Sequence, residues 1–599
     1  MKLRKDQKEA MESILSSLKD NRMVLFQAPT NWGKTVLIAD LAVKLIKQGK
    51  NVIVITLRND LVAQTIETMN RYAEDYTPVA VVGKTNYIMV KRAIDELVKI
   101  KKNVKKDKEE EYDEVMTILN DAKEPYLFIS DIEYKNKGIA ENEFWVLLKY
   151  LALPQNDDKI PKISDGYNFV VTNMFYLAHY LIKRDDDLKP NTVVLLDEAD
   201  YFADNIRSFF NTNCSFYTIK VISDYLYLTR GDKIFEKLSK KAEKIRNKGD
   251  DIFRLAKVGT QSDIDITYNA IINNIDLKFI DKILTKRYLN PNNYIDKALI
   301  RNLVEVKNFI KKVGQKKDFN GEYKISFSSI RRYVNIERTT KVKEALGYLS
   351  KLWRIFTDAS YDRRIVVIGA TIASPTKFSN EAELKKDIRE NKLFLPINIS
   401  FDYLSSETGK KNAIAYLLDK KLKDCHYHYG DSSATKEWIK AIVNIVKTTY
   451  KANNNALIMC KSRETAKEIA EALEIENLGV QIYYDKNSDI KTPLNAFKSN
   501  NNGGIFVSHA GLSVGMDVSD ISQLYIAQIP YTPPGPGQDT KERDFIQWIG
   551  RLRDNKKETR GLYIIDSRIW KEVNLLKKIK TDYLSIKITK LPKPKEVAW

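Results

Sequence analysis

Cysteine is scarce in this sequence of 599 residues. Its three cysteines, Cys214, Cys425 and Cys460, lie far apart, which excludes a disulfide framework or a four-cysteine metal site within the chain. Long hydrophobic runs are lacking as well, since no apolar stretch approaches the ~20 residues that cross a bilayer. Charges interrupt the apolar stretches of residues 1–17, so no signal-peptide core is present. We therefore expect a soluble protein of the cytoplasm (a nucleoid or a host-cell cytoplasm included), with no membrane partner.

Negative charge is in deficit, because 99 Lys and Arg face 79 Asp and Glu and leave a formal net charge of +20. This excess predicts a polyanionic partner, through electrostatic attraction and counterion release. A soluble protein with surplus surface lysine is an equally open alternative. The hydrophobic content of 43% excludes a wholly disordered chain.

Strand-like and helical patterns alternate in two parts of the chain. Near the N-terminus, Met23–Phe26 and Asn51–Thr56 are strand-like, and Thr35–Gln48 has helical spacing. A second set of apolar, β-branched runs extends from Ala456–Cys460 to Gly561–Ile565. Such alternation predicts two α/β domains, each with a parallel sheet that is covered by helices.

Two segments fit neither sheet. Residues 89–164 are highly charged, and residues 201–362 are lysine-rich and mostly helical in pattern. We interpret both as insertions into the first domain, and for the charge runs we favour a solvated helix face over a dedicated binding surface. The predicted boundaries are 1–88, 165–200 and 363–375 for the first domain, 89–164 and 201–362 for the insertions, and 376–599 for the second domain.

The strongest motif is APTNWGKT, between a strand candidate and a helix candidate. A phosphate-binding loop requires this context, because backbone N–H groups and the helix N-terminus hold the phosphates. Lys34 would reach the β- and γ-phosphates, and the Thr35 hydroxyl would ligate Mg²⁺. Trp32 is unusual in such a loop. The predicted loop residues are Ala28, Pro29, Thr30, Asn31, Trp32, Gly33, Lys34 and Thr35.

An acidic pair follows another apolar strand, in the run Leu195–Asp200, which reads LLDEAD. Carboxylates at the end of a strand can hold Mg²⁺ and polarise an attacking water. We expect Asp197 to serve the metal and Glu198 to serve the water. Together with the loop at Lys34, the pair predicts a nucleoside triphosphatase.

The Asp-Glu-Ala-Asp run after such a loop resembles superfamily 2 helicases, and further segments resemble the XPD/DinG-like group. Arg4 and Gln7, ahead of the loop, resemble the family's adenine-sensing element. Other segments are similar to family motifs and follow in the family's order: Thr56-Leu-Arg58-Asn-Asp-Leu61, Gly83–Met89, Val170–Asn173, Gly369–Ile372, Ser508 with Gly515-Met-Asp517, Ile529–Pro534, and Gln547–Arg553 with Asp566-Ser-Arg568.

The resemblance implies two RecA-like motor domains that bind ATP and Mg²⁺, with a helical, arch-like insertion in the first. It implies these catalytic residues: Lys34, Asp197, Glu198, Gln547 and Arg551, the last as an arginine finger. It adds these nucleotide contacts: Arg4, Gln7, Gly515, Asp517 and Arg553. It implies these nucleic-acid contacts: Thr56, Arg58, Asn173, Thr371, Ser462 and Ser508.

The sequence also departs from the family. Many members hold an iron–sulfur cluster on four cysteines of the first insertion, but Met89 stands at the first position and no cysteine lies between it and Ser164. We therefore expect no cluster. Asp200 replaces the usual histidine, and Asp554 stands where a second arginine is expected.

The activity that the resemblance implies is ATP-dependent, 5′-to-3′ translocation on single-stranded DNA by a monomeric motor that separates tailed duplexes. RNA as a substrate and protein partners at the arch-like insertion stay open. Two alternatives are a translocase that does not unwind and a nucleic-acid-binding scaffold with a degenerate ATPase.

Cys425-His426-Tyr-His428 combines three metal-ligating side chains without a second cluster, so we favour a surface or packing role for it.

Overall fold

The computed structural model describes these residues: 3–28, 32–57, 59–72, 76–104, 106–136, 139, 142–154, 159–174, 176, 188–201, 212–247, 268–269, 271–285, 287–291, 293–314, 323–328, 333–338, 349–350, 352–355, 362–370, 372, 380–406, 413–418, 425–428, 432–484, 491–500, 502–509, 518, 521–530, 544–545, 547–552, 560–571 and 587–590.

The strands are β1 (Met23–Gln27), β2 (Asn51–Thr56), β3 (Val79–Ala80), β4 (Tyr87–Met89), β5 (Tyr126–Phe128), β6 (Phe169–Asn173), β7 (Thr192–Leu196), β8 (Thr212–Ser215), β9 (Tyr323–Ser328), β10 (Tyr333–Arg338), β11 (Arg364–Gly369), β12 (Asp402–Ser405), β13 (Ala413–Leu417), β14 (Asn455–Cys460), β15 (Ile482–Tyr484), β16 (Gly504–His509), β17 (Gln523–Ile526), β18 (Arg560–Ile564) and β19 (Lys587–Lys590). The α-helices are α1 (Lys5–Asp20), α2 (Lys34–Lys47), α3 (Asn59–Tyr72), α4 (Val90–Ile100), α5 (Glu109–Asn120), α6 (Ile129–Lys135), α7 (Glu143–Leu151), α8 (Phe216–Arg230), α9 (Lys233–Asn247), α10 (Leu277–Ile283), α11 (Tyr294–Gly314), α12 (Glu381–Asp387), α13 (Ser432–Thr449), α14 (Arg463–Ile475) and α15 (Lys491–Ser499).

Seven strands form the first sheet, in the order β12-β1-β11-β7-β2-β6-β3. The pairs β1–β11, β1–β12, β2–β6 and β3–β6 are parallel. The central strands β1, β2, β6, β7 and β11 are buried and largely apolar, which suits a sheet that is covered on both faces. Strand β12 extends this sheet to Ser405, beyond the boundary that the sequence predicts at residue 375.

The second sheet has the order β15-β16-β14-β17-β18-β13-β19, and its six pairs are all parallel. Alternate residues of β14 enter two separate hydrophobic clusters. Leu457 packs in the cluster of Trp548, and Ile458 packs in the cluster of Trp438 on α13. Helices therefore bury both faces, and the two predicted parallel-sheet α/β domains are confirmed.

The part of the chain between the acidic run Leu195–Asp200 and β11 contains a small antiparallel sheet, with the strand order β8-β10-β9. The sequence predicts mainly helices there. The run Tyr323–Ser328, YKISFS, alternates apolar and polar residues as a half-buried strand does, but the lysine-rich helical patterns around it obscure this signal.

One hydrophobic core joins the two predicted insertions. Leu97, Val115 and Trp145 from the first lie in the same buried cluster as Ile222 and Leu303 from the second. Polar contacts reinforce it: the Tyr225 hydroxyl donates to Glu96 Oε2 at 2.8 Å, and Lys220 Nζ donates to Glu143 Oε1 at 2.8 Å. Residues 89–154 and 212–314 therefore pack as one body over the parts that the structure describes.

The chain divides into two compact units. One comprises Met1–Leu41, Leu196–Asp200 and Arg364–Trp599, and the other comprises Ala42–Leu195 and Tyr201–Arg363. The domain boundaries given above stay predictions. Within the described part of the chain, every helix is too short or too polar to span a bilayer.

Replacing Trp145 by alanine tests the shared core. The indole is fully buried, and its Nε1 donates to Glu133 Oε1 at 3.0 Å. We expect a loss of about 3 kcal/mol in stability, with faster amide hydrogen exchange in α8 and α11 as well as in α7. Val98→Ala, at an exposed position of α4, should leave exchange unchanged. Faster exchange confined to residues 89–154 would contradict the shared core.

Candidate functional site

The loop after β1 ends in a glycine with a left-handed backbone. Gly33 has φ +90°, and its carbonyl accepts from the N–H groups of Val36 and Leu37 at 3.1 and 3.2 Å, which starts α2. Lys34 is the first residue of this helix and is only 7% exposed. Among the described residues, no carboxylate forms an ion pair with Lys34. A buried cation therefore lies at the positive end of the helix dipole.

Helix α1 holds this loop from outside. Gln7 Nε2 donates to the carbonyl oxygens of Trp32 and Gly33 at 3.1 and 3.4 Å, and Arg4 Nη2 donates to that of Trp32 at 2.6 Å. The Trp32 ring is buried against Phe26, with ring centroids 5.4 Å apart. The Arg4 guanidinium lies 5.8 Å from the indole centroid. The bulky residue at this position thus fixes the loop through its ring and its carbonyl.

The acidic pair follows β7, and only β11 separates β7 from β1 in the sheet. Asp197 Oδ1 accepts from the Glu198 backbone N–H at 2.9 Å. Glu198 has φ +52°, a conformation that is strained for a residue with a side chain and is found mainly at functional sites. Asp197, Glu198 and Thr35 are all half-buried. Their oxygen atoms are the ligand type that Mg²⁺ prefers, so these residues fit the metal.

Three asparagines join the loops after β2, β3 and β6. Asn173 Nδ2 donates to Asn59 Oδ1, and Asn59 Nδ2 donates to Asn86 Oδ1. Asn86 Nδ2 in turn donates to the Gly83 carbonyl at 3.0 Å. The Asn173 Oδ1 accepts from the Tyr176 N–H at 2.7 Å. We call this series the asparagine ladder (Asn173, Asn59, Asn86). The ladder brings together three segments that resemble family motifs. Both the nitrogen and the oxygen of the Asn173 amide are hydrogen-bonded within the protein.

Thr56 and Asn173 are partners in the parallel register of β2 and β6. Both therefore lie at the carboxyl edge of the sheet, where the sequence places nucleic-acid contacts. The Thr56 hydroxyl donates to the Thr172 carbonyl at 3.4 Å. Asn59 and Asn86 are not among the residues that the sequence motifs indicate. They belong to motif-like segments, but spacing alone does not reveal which asparagines pair.

Ser462 and Ser508 lie at the corresponding edge of the second sheet. Cys460 and His509 are register partners at the ends of β14 and β16. The Ser462 hydroxyl caps α14 by accepting from the Thr465 N–H at 3.1 Å. Ser508 is buried, and its hydroxyl has no hydrogen-bond partner among the described residues.

Two basic residues, Lys461 and Arg568, follow strands at the same edge. Burial and the neighbouring Arg568 guanidinium lower the pKa of Lys461, which follows β14. Arg568 is held by Asp566, with Nε 2.8 Å from Oδ1. The other oxygen of Asp566 accepts from the Ile529 N–H at 2.8 Å. Asp566 thus connects its own segment to the one that begins at Ile529, and both segments resemble family motifs.

The segment that resembles motif VI packs beside β17. Gln547 and Arg551 are 2% and 4% exposed, the Arg551 N–H donates to the Trp548 carbonyl at 2.9 Å, and Leu552 forms a bridge with Ile521. Eight predicted site residues lie outside the described residues: Pro29, Thr30, Asn31, Arg58, Thr371, Gly515, Asp517 and Arg553.

The cysteine–histidine cluster packs against the loop after β18. The rings of His426 and His428 stack with centroids 4.3 Å apart, and His426 Nδ1 lies 3.2 Å from Ser567 Oγ. Burial raises the pKa of Cys425 to about 12, which keeps the thiol protonated at neutral pH. Among the described residues, no group of three or more His, Cys, Asp and Glu side chains could hold a metal ion.

Comparison with known proteins gives the fold. An XPD helicase structure is similar over 99% of this chain and 100% of its own, with a TM-score of 0.52 and 15% identity. The chain has the fold of an XPD helicase. This similarity confirms the fold that the motif order predicts.

Other matches are weaker. Xpd4 of S. tokodaii matches over 98% of this chain and 100% of its own, with a TM-score of 0.47 and 12% identity. The DEAD-box helicase Mss116, bound to ssRNA and UDP-BeF, matches over 99% of this chain and 76% of its own, with a TM-score of 0.43 and 12% identity. The family described as "Type III restriction enzyme, res subunit" matches residues 1–220. No curated protein matches the chain.

Replacing Gly33 by alanine should disrupt the loop. An added Cβ would lie 2.5 Å from Gln7 Nε2, at a φ that L-residues rarely adopt. Because the collision with Gln7 would displace the loop, we expect ATP binding to be weakened by about tenfold or more, measured as Kd by calorimetry. The matched control is Gly49→Ala, because Gly49 also has positive φ but no atom lies within 4 Å of an added Cβ. Equal affinities in the two variants would show that the close packing of Gly33 against Gln7 is unimportant for nucleotide.

Proposed function

We propose that the protein is a nucleic-acid-stimulated ATPase that moves along single-stranded DNA and separates the strands of tailed duplexes. The observation that carries this proposal is Lys34, a buried cation without a described ion-pair partner at the start of a helix. The positive end of the helix dipole favours an anion at this point. A bound triphosphate would suit it, since its oxygens accept from Lys34 and from the first N–H groups of α2.

The residues around Lys34 suit ATP hydrolysis. Thr35 and Asp197 would hold Mg²⁺, which when bound neutralises phosphate charge. Glu198 would orient the attacking water, and Arg551 of the second domain would stabilise the charge that develops at the γ-phosphate. Gln547 lies one helical turn before Arg551 and would support the same step. ATP would favour a closed state of the two domains, and hydrolysis would release it.

The nucleic-acid contacts are proposed at the carboxyl edges of both sheets. Thr56 and Asn173 lie at one edge, and Ser462 and Ser508 lie at the other. The formal charge of +20 favours a polyanionic partner. Alternate opening and closing of the domains would move the strand, with 5′-to-3′ polarity by resemblance.

A second candidate function is a translocase that does not unwind. It is favoured by the lack of any cysteine between Met89 and Ser164, since four thiolates are needed for the iron–sulfur cluster of many relatives. We propose that the protein holds no such cluster, and that any strand-separating element in this segment depends on the apolar core around Trp145.

Lys34→Ala tests the ATPase. Loss of the cation from the phosphate site should lower ATP turnover by about 100-fold or more, equivalent to about 2.7 kcal/mol of transition-state stabilisation. Phosphate release is measured with and without single-stranded DNA. Lys47→Ala is the matched control, because Lys47 is exposed at the other end of the same helix. Full activity in Lys34→Ala, or wild-type turnover that DNA does not stimulate, would refute the proposal.

An unwinding assay on tailed duplexes distinguishes the two candidate functions. We expect ATP-dependent unwinding of a 5′-tailed DNA duplex and none of a 3′-tailed or blunt duplex, measured by release of a fluorescent strand. Lys34→Ala provides the inactive control. DNA-stimulated turnover without unwinding of either tailed substrate would favour the translocase, and unwinding of the 3′-tailed substrate would contradict the polarity.

A further inference from the structure

We propose that the exposed face of helix α9, in the second insertion, binds the phosphate backbone of duplex DNA. None of the residues to which the proposed function assigns ATP or single-stranded DNA lies on this helix. The inference deepens the proposed function, on which it rests for the presence of a tailed duplex. It adds a surface that holds the part of the substrate that is still base-paired.

Four lysines lie along the solvent-exposed face of α9. Lys233, Lys237, Lys240 and Lys244 are all exposed, at intervals of four, three and four residues, which is the spacing of one helix face. At 1.5 Å per residue this lysine stripe extends over about 16 Å. The opposite face lies in the shared hydrophobic core, with these residues fully buried: Phe235, Leu238, Ala242 and Ile245. Packing of the apolar face therefore fixes the lysine stripe toward solvent.

Most of the lysine stripe has no countercharge. Lys240 pairs with Glu236 at 2.5 Å, but Lys233, Lys237 and Lys244 have no acidic partner among the described residues. Exposed lysines on α1, α4, α12, α13 and α14 do pair with an acid three or four residues away, as is usual for a solvated helix face. Like charges at this spacing repel one another, and a bound polyanion would remove that cost.

Helix α10 adds to the positive surface. The Phe279 ring of α10 lies 5.7 Å from Lys237 Nζ and 5.2 Å from Lys241 Nζ. These two cation–π contacts hold α10 beside α9. Lys278 and Lys282 are exposed on the same short helix. Positive charge is therefore not confined to one row of side chains.

The residue types favour a duplex as the partner. A lysine ammonium is a point charge that contacts phosphate oxygens without reading bases, and residues 233–244 contain no Asn, Gln or Arg for base edges. Surfaces for single strands combine cations with exposed aromatic rings, whereas Phe235 is fully buried and Phe279 packs against two lysines. Duplex DNA carries one charge per ~1.7 Å of its axis, so a row of lysines meets a dense line of phosphates.

Binding of a short blunt DNA duplex to the triple variant Lys233→Gln/Lys237→Gln/Lys244→Gln tests the inference. Loss of three phosphate contacts should weaken the duplex Kd by about tenfold or more at physiological salt. It should also reduce the slope of log Kd against log salt concentration by about 3, one for each contact. Both quantities are measured by fluorescence anisotropy over a series of NaCl concentrations. An unchanged duplex Kd would overturn the inference.

The matched control is Lys436→Gln/Lys440→Gln/Lys447→Gln on α13. It removes the same charge at the same spacing from exposed helix positions, and it should leave the duplex Kd nearly unchanged. Equal losses in the two triple variants would overturn the inference, because net charge alone would then explain them. Lys233→Arg/Lys237→Arg/Lys244→Arg keeps the charge on α9 and should retain duplex binding.

Measurements on single-stranded DNA distinguish this surface from the proposed motor. The α9 glutamine variant should bind a single strand as the wild type does, with the same stimulated ATP turnover, because those contacts are assigned to the sheet edges. A loss of single-strand binding as large as that of duplex binding would overturn the assignment to duplex. Wild-type protein that binds duplex through α9 but does not hydrolyse ATP would refute the proposed function and leave the duplex surface standing.

Discussion

The charge of Lys34 is the constraint on which the N-terminal site depends. A lysine is unfavourable when buried and unfavourable at the N-terminus of a helix, yet here it begins α2 at 7% exposure. The surrounding residues keep it there. Gly33 supplies a backbone conformation that other residues rarely adopt, and Gln7 packs so closely that even a methyl group would collide with it. An unpaired cation at the start of a helix is the arrangement that we propose to bind a triphosphate.

A second theme is that the motif-like segments hold one another in place. The asparagine ladder connects residues that are 114 and 27 positions apart in the sequence, and Asp566 connects to Ile529 across 37 positions. These side chains are buried or half-buried and satisfy loop groups that would otherwise lack partners. Several residues that the family resemblance assigns to ligands therefore also have structural roles. Asn173 and Ser462 are examples, because their polar atoms already bond to neighbouring protein groups.

The sequence predicts the buried strands well and the pairing of loops poorly. Asn51–Thr56 is the same strand in the sequence pattern and in the structure, because a β-branched run that is buried on both faces leaves little ambiguity. Helix α2 differs from its predicted range by one residue at each end. The addition of β12 to the first sheet is decided by its partner β1 and not by its own sequence. The contacts of Asn59 and Asn86 likewise depend on distant partners, so local patterns do not reveal them.

Residues 89–154 stand where the family resemblance implies an iron–sulfur domain, and they pack in an apolar core. Metal–thiolate bonds can fix a small domain that has little core. Residues 89–154 have no cysteine and instead bury Trp145, Leu97 and Val115 in a core that they share with α8 and α11. The fraction of a chain's surface that is buried on folding rises with the size of the folding unit. Joining the two insertions therefore gives each a larger core than it has alone. The packing of the first insertion therefore depends on residues more than 100 positions downstream, such as Leu303.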